Sequence, residues 1–265
     1  MMQLHEFIDL EKIQEVRDLT RIDDRPVIVN DVIKDLDSWI TWDKVGECMT
    51  KSCLADVLYL NKTESIYEHV VPCRIELEDD NAALAKSNGG NHINTTPCPD
   101  GNSFLSKQFT MIISDYERMN TLVTDLINHM VQIFHIHMDG HGVWPAEIDW
   151  YSGHAHVYCG LEGSRSYHPK CDGPNNFIFQ MSGTQKIILY ENRASALSNV
   201  ELNIFDTVEE RKEVYDNLRV LDEATLQPGD LVYIPNRQFY YIEPLENTIS
   251  MRIPLVLHGP LTVSF

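Results

Sequence analysis

The chain has 265 residues, 43% of them hydrophobic, so it can bury a full core at a length where large β folds run as one domain. Forty acidic against twenty-one basic residues give a net charge of -19, a field that repels phosphate backbones and anionic membranes and attracts basic peptides or proteins. No apolar run approaches the roughly twenty residues of a membrane span, and acidic residues stand where a signal peptide would be basic, so a soluble, cytoplasmic protein with neither nucleic-acid nor membrane partners is expected.

In chain order, Leu4, Phe7, Ile8, Ile13 and Val16 fall at helical spacing and predict a helix over 3–20. Arg25-Pro26-Val27-Ile28-Val29 then predicts a short strand. The Gly-, Asn- and Pro-rich stretch near 85–105 has the composition of a long loop or lid. From Ser114 to Met138 the spacing is again helical, and Asp139-Gly140-His141-Gly142 supplies a stop. His135, His137 and His141 near that end read as terminal histidines favoured by the helix dipole.

Beyond Trp144 the texture turns to short apolar runs broken by turns, with candidate strands at 154–159, 176–181, 185–190, 231–234, 239–243 and 248–257. The charged segment 206–222 reads as an inserted helix. This divides one domain, 1–265, into an elaborated N-terminal part, 1–143, and a barrel core, 144–265. Six cysteines (Cys48, Cys53, Cys73, Cys98, Cys159, Cys171) form no CxxC pair, which predicts reduced thiols rather than a zinc knuckle or redox motif. The sequons at Asn61 and Asn94 lack a secretion signal to give them meaning.

Two C-terminal segments are specific. One runs from Val157-Tyr158-Cys159-Gly160 through Asp172-Gly173-Pro174-Asn175-Asn176-Phe177 to Gln180 and Gly183; the other is Gln227-Pro228-Gly229-Asp230-Leu231-Val232-Tyr233-Ile234-Pro235, continuing to Glu243. They resemble the JmjC-type 2-oxoglutarate and iron oxygenases, most of all the asparaginyl-hydroxylase branch, with its H-x-D, N-F-x-x-Q-x-x-G and P-G-D-x-x-Y-I-P series. The resemblance implies a mainly β fold with flanking helices, a double-stranded β-helix or jelly-roll barrel of the JmjC/cupin type. Its chemistry rests on two imidazoles and one carboxylate around iron, and H-x-D sets two of them on one strand face because side chains alternate with period two.

Counting along the motifs, the aspartate falls on Asp172, the first histidine on Lys170 and the second on Tyr240. The place of the lysine that anchors the cosubstrate's far carboxylate is Gln185, and Lys186 beside it should face the other way. His156, Tyr158, Asn176 and Gln185 are the candidate cosubstrate-pocket residues. An ammonium at Lys170 and a hydroxyl from Tyr240 would give Asp172 the charge and hydrogen bond that iron gives in the family. The reading is a non-catalytic binding or structural module with no cofactor, no metal and unknown catalytic residues.

Two alternatives stay open. An active Fe(II) and 2-oxoglutarate hydroxylase would use shifted ligands, His168 and Asp172; a cupin-like metalloprotein would use His154 and His156, which share a strand face with Tyr158, together with Asp172. A monomer is expected, since no dimerising C-terminal helix is visible before Phe265.

Overall fold

In the computed structural model the described residues are 3–48, 74–78 (backbone only), 110–134, 154–162, 169–194 and 213–255. The expected lid near 85–105, His168, and the histidines at 135, 137 and 141 lie outside them.

Helix α1 spans Leu10–Ile22 and is capped by Asp9, whose carboxylate accepts from the backbone N–H groups of Glu11 and Lys12. Beyond a helical stretch over 42–48, the longer helix α2 covers Thr121–Phe134 and buries Leu122, Val123, Leu126, Ile127 and Met130 along one stripe. A 3-10 turn at Tyr116–Arg118 precedes it, so the helical spacing that begins at Ser114 belongs to two elements joined at Met119 and Asn120.

Among the described residues, ten strands follow in chain order: β1 (Val27–Val29), β2 (Arg74–Glu78), β3 (Thr110–Ser114), β4 (His156–Gly160), β5 (Asn175–Ser182), β6 (Gln185–Arg193), β7 (Val220–Leu226), β8 (Leu231–Ile234), β9 (Gln238–Pro244) and β10 (Thr248–Leu255). A seven-stranded sheet has the order β1-β8-β5-β10-β4-β3-β2, and a three-stranded sheet the order β7-β6-β9. The described pairings are antiparallel. The result is a mainly β jelly-roll with flanking helices.

Alternation sorts each strand of the large sheet into two faces. Phe177, Phe179 and Met181 of β5, Leu231 and Tyr233 of β8, and Ile249, Met251, Ile253 and Leu255 of β10 join Ile13, Val16, Leu126 and Met130 of the helices in one core. Ile178, Val232 and Ile234 face the other way and pack with Ile187, Leu189, Leu226 and Tyr240 of the small sheet. Burying each such side chain contributes roughly 1.5–3 kcal/mol. The same alternation sends Ser250 and Arg252 of β10 to the inner face, where they pair in register with Tyr158 and His156 of β4.

Strand β7 corrects the helix expected over 206–222: among the described residues only 213–216 are helical, and Val220–Leu226 pairs with β6. This strand lies at the edge of the small sheet with most of its side chains exposed, so its charges mark a solvated surface rather than a helix face. Strands β2 and β3 also have no counterpart among the expected elements.

The motif turns have structural work of their own. Gly183 turns β5 into β6 with φ +64°, and a Cβ there would come within 2.2 Å of the Asn247 carbonyl oxygen. Gln180 Nε2 donates to the carbonyls of Ser182 and Gly183 at that turn. In the P-G-D turn, Asp230 accepts from the Gln227 N–H at 2.8 Å and from the Asp31 N–H at 3.2 Å, fastening the turn to the N-terminal segment.

Candidate functional site

Lys170, Asp172 and Tyr240 meet inside the barrel. Lys170 and Tyr240 exchange two backbone hydrogen bonds, each 2.8 Å, so the segment before β5 lies antiparallel against β9. The Arg237 N–H donates to the Asp172 carbonyl at 2.7 Å and extends this seam.

Three side chains converge on one oxygen of Asp172. The Tyr240 hydroxyl donates to Oδ2 at 2.5 Å, Asn176 Nδ2 donates at 2.9 Å, and Arg252 Nη1 stands 3.5 Å away. Arg252 is 5% exposed and its guanidinium lies over the Tyr158 ring, 4.1 Å from the centroid. The Lys170 ammonium is 5.4 Å from the Tyr158 centroid and 5.8 Å from that of Tyr240. A carboxylate thus sits between two cations and two aromatic faces.

The electrostatics follow. Burial pushes the Asp172 carboxyl up, but Lys170, Arg252 and the hydrogen bonds from Tyr240 and Asn176 outweigh it and hold the group below the usual aspartate range. Burial, with Asp172 alongside, raises the Tyr240 phenol well above the ordinary tyrosine range in spite of Arg252, so it stays protonated and donates.

Gln185 opens β6 on the inner side, 2% exposed, and its Nε2 has no hydrogen-bond partner among the described residues. Lys186 faces outward and pairs with Glu223 at 2.7 Å, the opposite face that alternation requires. Arg252 was not among the residues singled out from the sequence, although a charge within the apolar run Ile249-Ser250-Met251-Arg252-Ile253 was the available signal.

His154 and His156 part company. His154 precedes β4 and its Nδ1 lies 2.9 Å from Glu117 Oε1 and 3.2 Å from Asp115 Oδ1, so these two carboxylates, and not Asp172, hold its ring. The strand alternation expected to align it with His156 and Tyr158 begins only at His156. The Glu117 hydrogen bond raises the His154 imidazole above its ordinary range against the effect of burial, with Asp115 adding to the rise and Arg118 opposing it.

His156 is pulled down to about 4, first by burial and then by Arg252. It stays neutral in the native state while the unfolded chain takes up a proton below about 6.5, so its contribution is present above that value and is lost as pH falls through 4. Chemical denaturation at pH 7 and pH 4.5 is expected to show a loss of about 2 kcal/mol that is absent from His156→Gln. His154, with its raised value, acts in a different window, above 6.5.

Residues 146–259 match the JmjC domain family model. That match lies over the barrel core and covers less than half of the chain. The JmjC match does not single out the asparaginyl-hydroxylase branch. Solved structures of the ribosomal oxygenase YcfD from Escherichia coli share the fold: one is 15% identical with a TM-score of 0.53, covering 90% of this chain and 50% of that one. Two others, in complex with cobalt and 2-oxoglutarate and with cobalt and succinic acid, are 16% identical with TM-scores of 0.51, covering 90% of this chain and 49% of theirs. The chain therefore spans about half the length of these solved structures. No curated protein matches the sequence significantly. Among the described residues, no helix is long and apolar enough to cross a membrane.

Proposed function

We propose that this JmjC barrel is a non-catalytic binding module whose iron position is closed by its own side chains. The observation that carries the reading is the saturation of Asp172 Oδ2 by Tyr240, Asn176 and Arg252. Iron needs neutral imidazoles and an ionised carboxylate with open lone pairs. Lys170 brings an ammonium, Tyr240 a phenol that keeps its proton, and Asp172 a carboxylate already accepting hydrogen bonds. These donors do not fit Fe(II), and no step of oxygenase chemistry is assigned to them. The partner in this reading is a protein or peptide, basic where the net charge of -19 steers the encounter, and the setting is cytoplasmic.

The test is anaerobic titration of the full chain with Fe(II) and 2-oxoglutarate, followed by the visible charge-transfer band of the ternary complex. No band is expected. A band that is lost in His168→Ala would overturn the proposal and establish the hydroxylase with shifted ligands, the chemistry that YcfD's crystallisation with cobalt and 2-oxoglutarate brings to mind. Metal content alone would not decide it, because Asp115, Glu117 and His154 form another group that could hold a metal ion.

A further inference from the structure

We infer that Asp115, Glu117 and His154 form a binding site for a first-row divalent metal ion, separate from the iron position of the barrel. The three ligand atoms lie within 4.8 Å of one another, and all three side chains are partly exposed, so an ion can enter from solvent. They come from two adjacent segments, the turn after β3 and the lead into β4, clamped together by the Tyr116 N–H on the Ala155 carbonyl at 3.0 Å.

The two spacings from His154 suit a coordination shell. For bonds of about 2.1 Å, neighbouring ligand atoms stand about 3.0–3.5 Å apart. The His154 Nδ1 separations, 3.2 Å to Asp115 Oδ1 and 2.9 Å to Glu117 Oε1, already lie at or near that range. The second oxygen of Glu117 is held by the Ala155 N–H at 2.9 Å, the kind of outer hydrogen bond that orients a ligating carboxylate.

The two carboxylates supply the anionic ligands a divalent ion needs, and the Arg118 guanidinium, which also acts on His154, is a cation beside them that binding must tolerate. One imidazole with two carboxylates suits Mn(II), Co(II) or Zn(II), with water completing the shell, and lacks the thiolates that soft ions select. Glu117 and His154 belong neither to the Asp172 network nor to the JmjC motif positions, so the proposal stands or falls independently of the closed barrel.

The experiment uses the full chain, stripped with a chelator and titrated with Co(II), followed by its d–d absorption and by the hyperfine-shifted imidazole N–H signal in proton NMR. One ion per chain is expected, with a single shifted imidazole N–H. His154→Gln should abolish that signal and weaken binding at least about tenfold, and Asp115→Asn, a near-isosteric change that leaves the Glu117–Ala155 anchor intact, should weaken it by a similar factor. Thermal unfolding of each variant without metal shows that it remains folded. Absence of Co(II) binding to the unmodified chain, or binding unchanged in both variants, overturns the site; loss of the signal in His156→Gln but not in His154→Gln would place the ion in the barrel instead.

Discussion

Asp172→Asn is expected to destabilise the protein by about 3 kcal/mol, read as a fall in the urea midpoint at pH 7 with an unchanged slope. Both Lys170 and Arg252 act on this carboxylate, and removing its charge leaves two cations beside the Tyr158 ring without it. Arg252 cannot turn to solvent to relieve this, since its side chain is only 6% exposed. The sign separates two kinds of barrel. In an iron enzyme stripped of metal, the ligand aspartate is an unneutralised buried charge, and its amide is neutral or stabilising. Here the aspartate is the keystone of the charge balance, and an Asp172→Asn protein as stable as the parent would contradict the closed-barrel reading.

Lys170→His combined with Tyr240→His is expected to restore what the register implies, an Fe(II) and 2-oxoglutarate charge-transfer band where the parent shows none. Without metal the double variant should be less stable than the parent by about 2–3 kcal/mol, because Asp172 loses a cation and a hydroxyl donor together. Fe(II) should then raise its unfolding midpoint in a concentration-dependent way, while leaving the parent's barrel transition unmoved. A folded double variant that ignores iron would show that residues 170, 172 and 240 do not occupy the family's ligand geometry. The Lys170–Tyr240 bridge makes folding of this variant plausible to test, because its two hydrogen bonds are made by backbone atoms that any residue supplies.

How much of this could be read from the sequence depended on how local the determining interaction is. The strands from 175 to 193 and from 231 to 255 were legible because alternation and turn residues repeat within a few positions. Lys170, Asp172 and Tyr240 were picked as a set by motif counting, and the structure brings them together through the Lys170–Tyr240 bridge and the Tyr240–Asp172 hydrogen bond. Arg252 escaped because its role comes from lying in register with His156 on a neighbouring strand nearly a hundred residues away, a pairing no local pattern states. Strand β7 escaped because exposure on an edge gives it the charge pattern of a helix surface. One alternative set His154 with His156 and Asp172, whereas the structure places its Nδ1 against Asp115 and Glu117, which sit in a turn with no sequence spacing that relates them to β4.

The seam between Lys170 and Tyr240 has a consequence for when the barrel can form. An iron-dependent barrel has two folded states, empty and loaded, and its maturation waits on metal supply. A barrel whose ammonium, guanidinium, phenol and carboxylate neutralise one another is finished at the moment the chain closes, wherever in the cell that happens and whatever the iron level. On the closed-barrel proposal, iron starvation that would empty an iron-dependent barrel leaves this one folded.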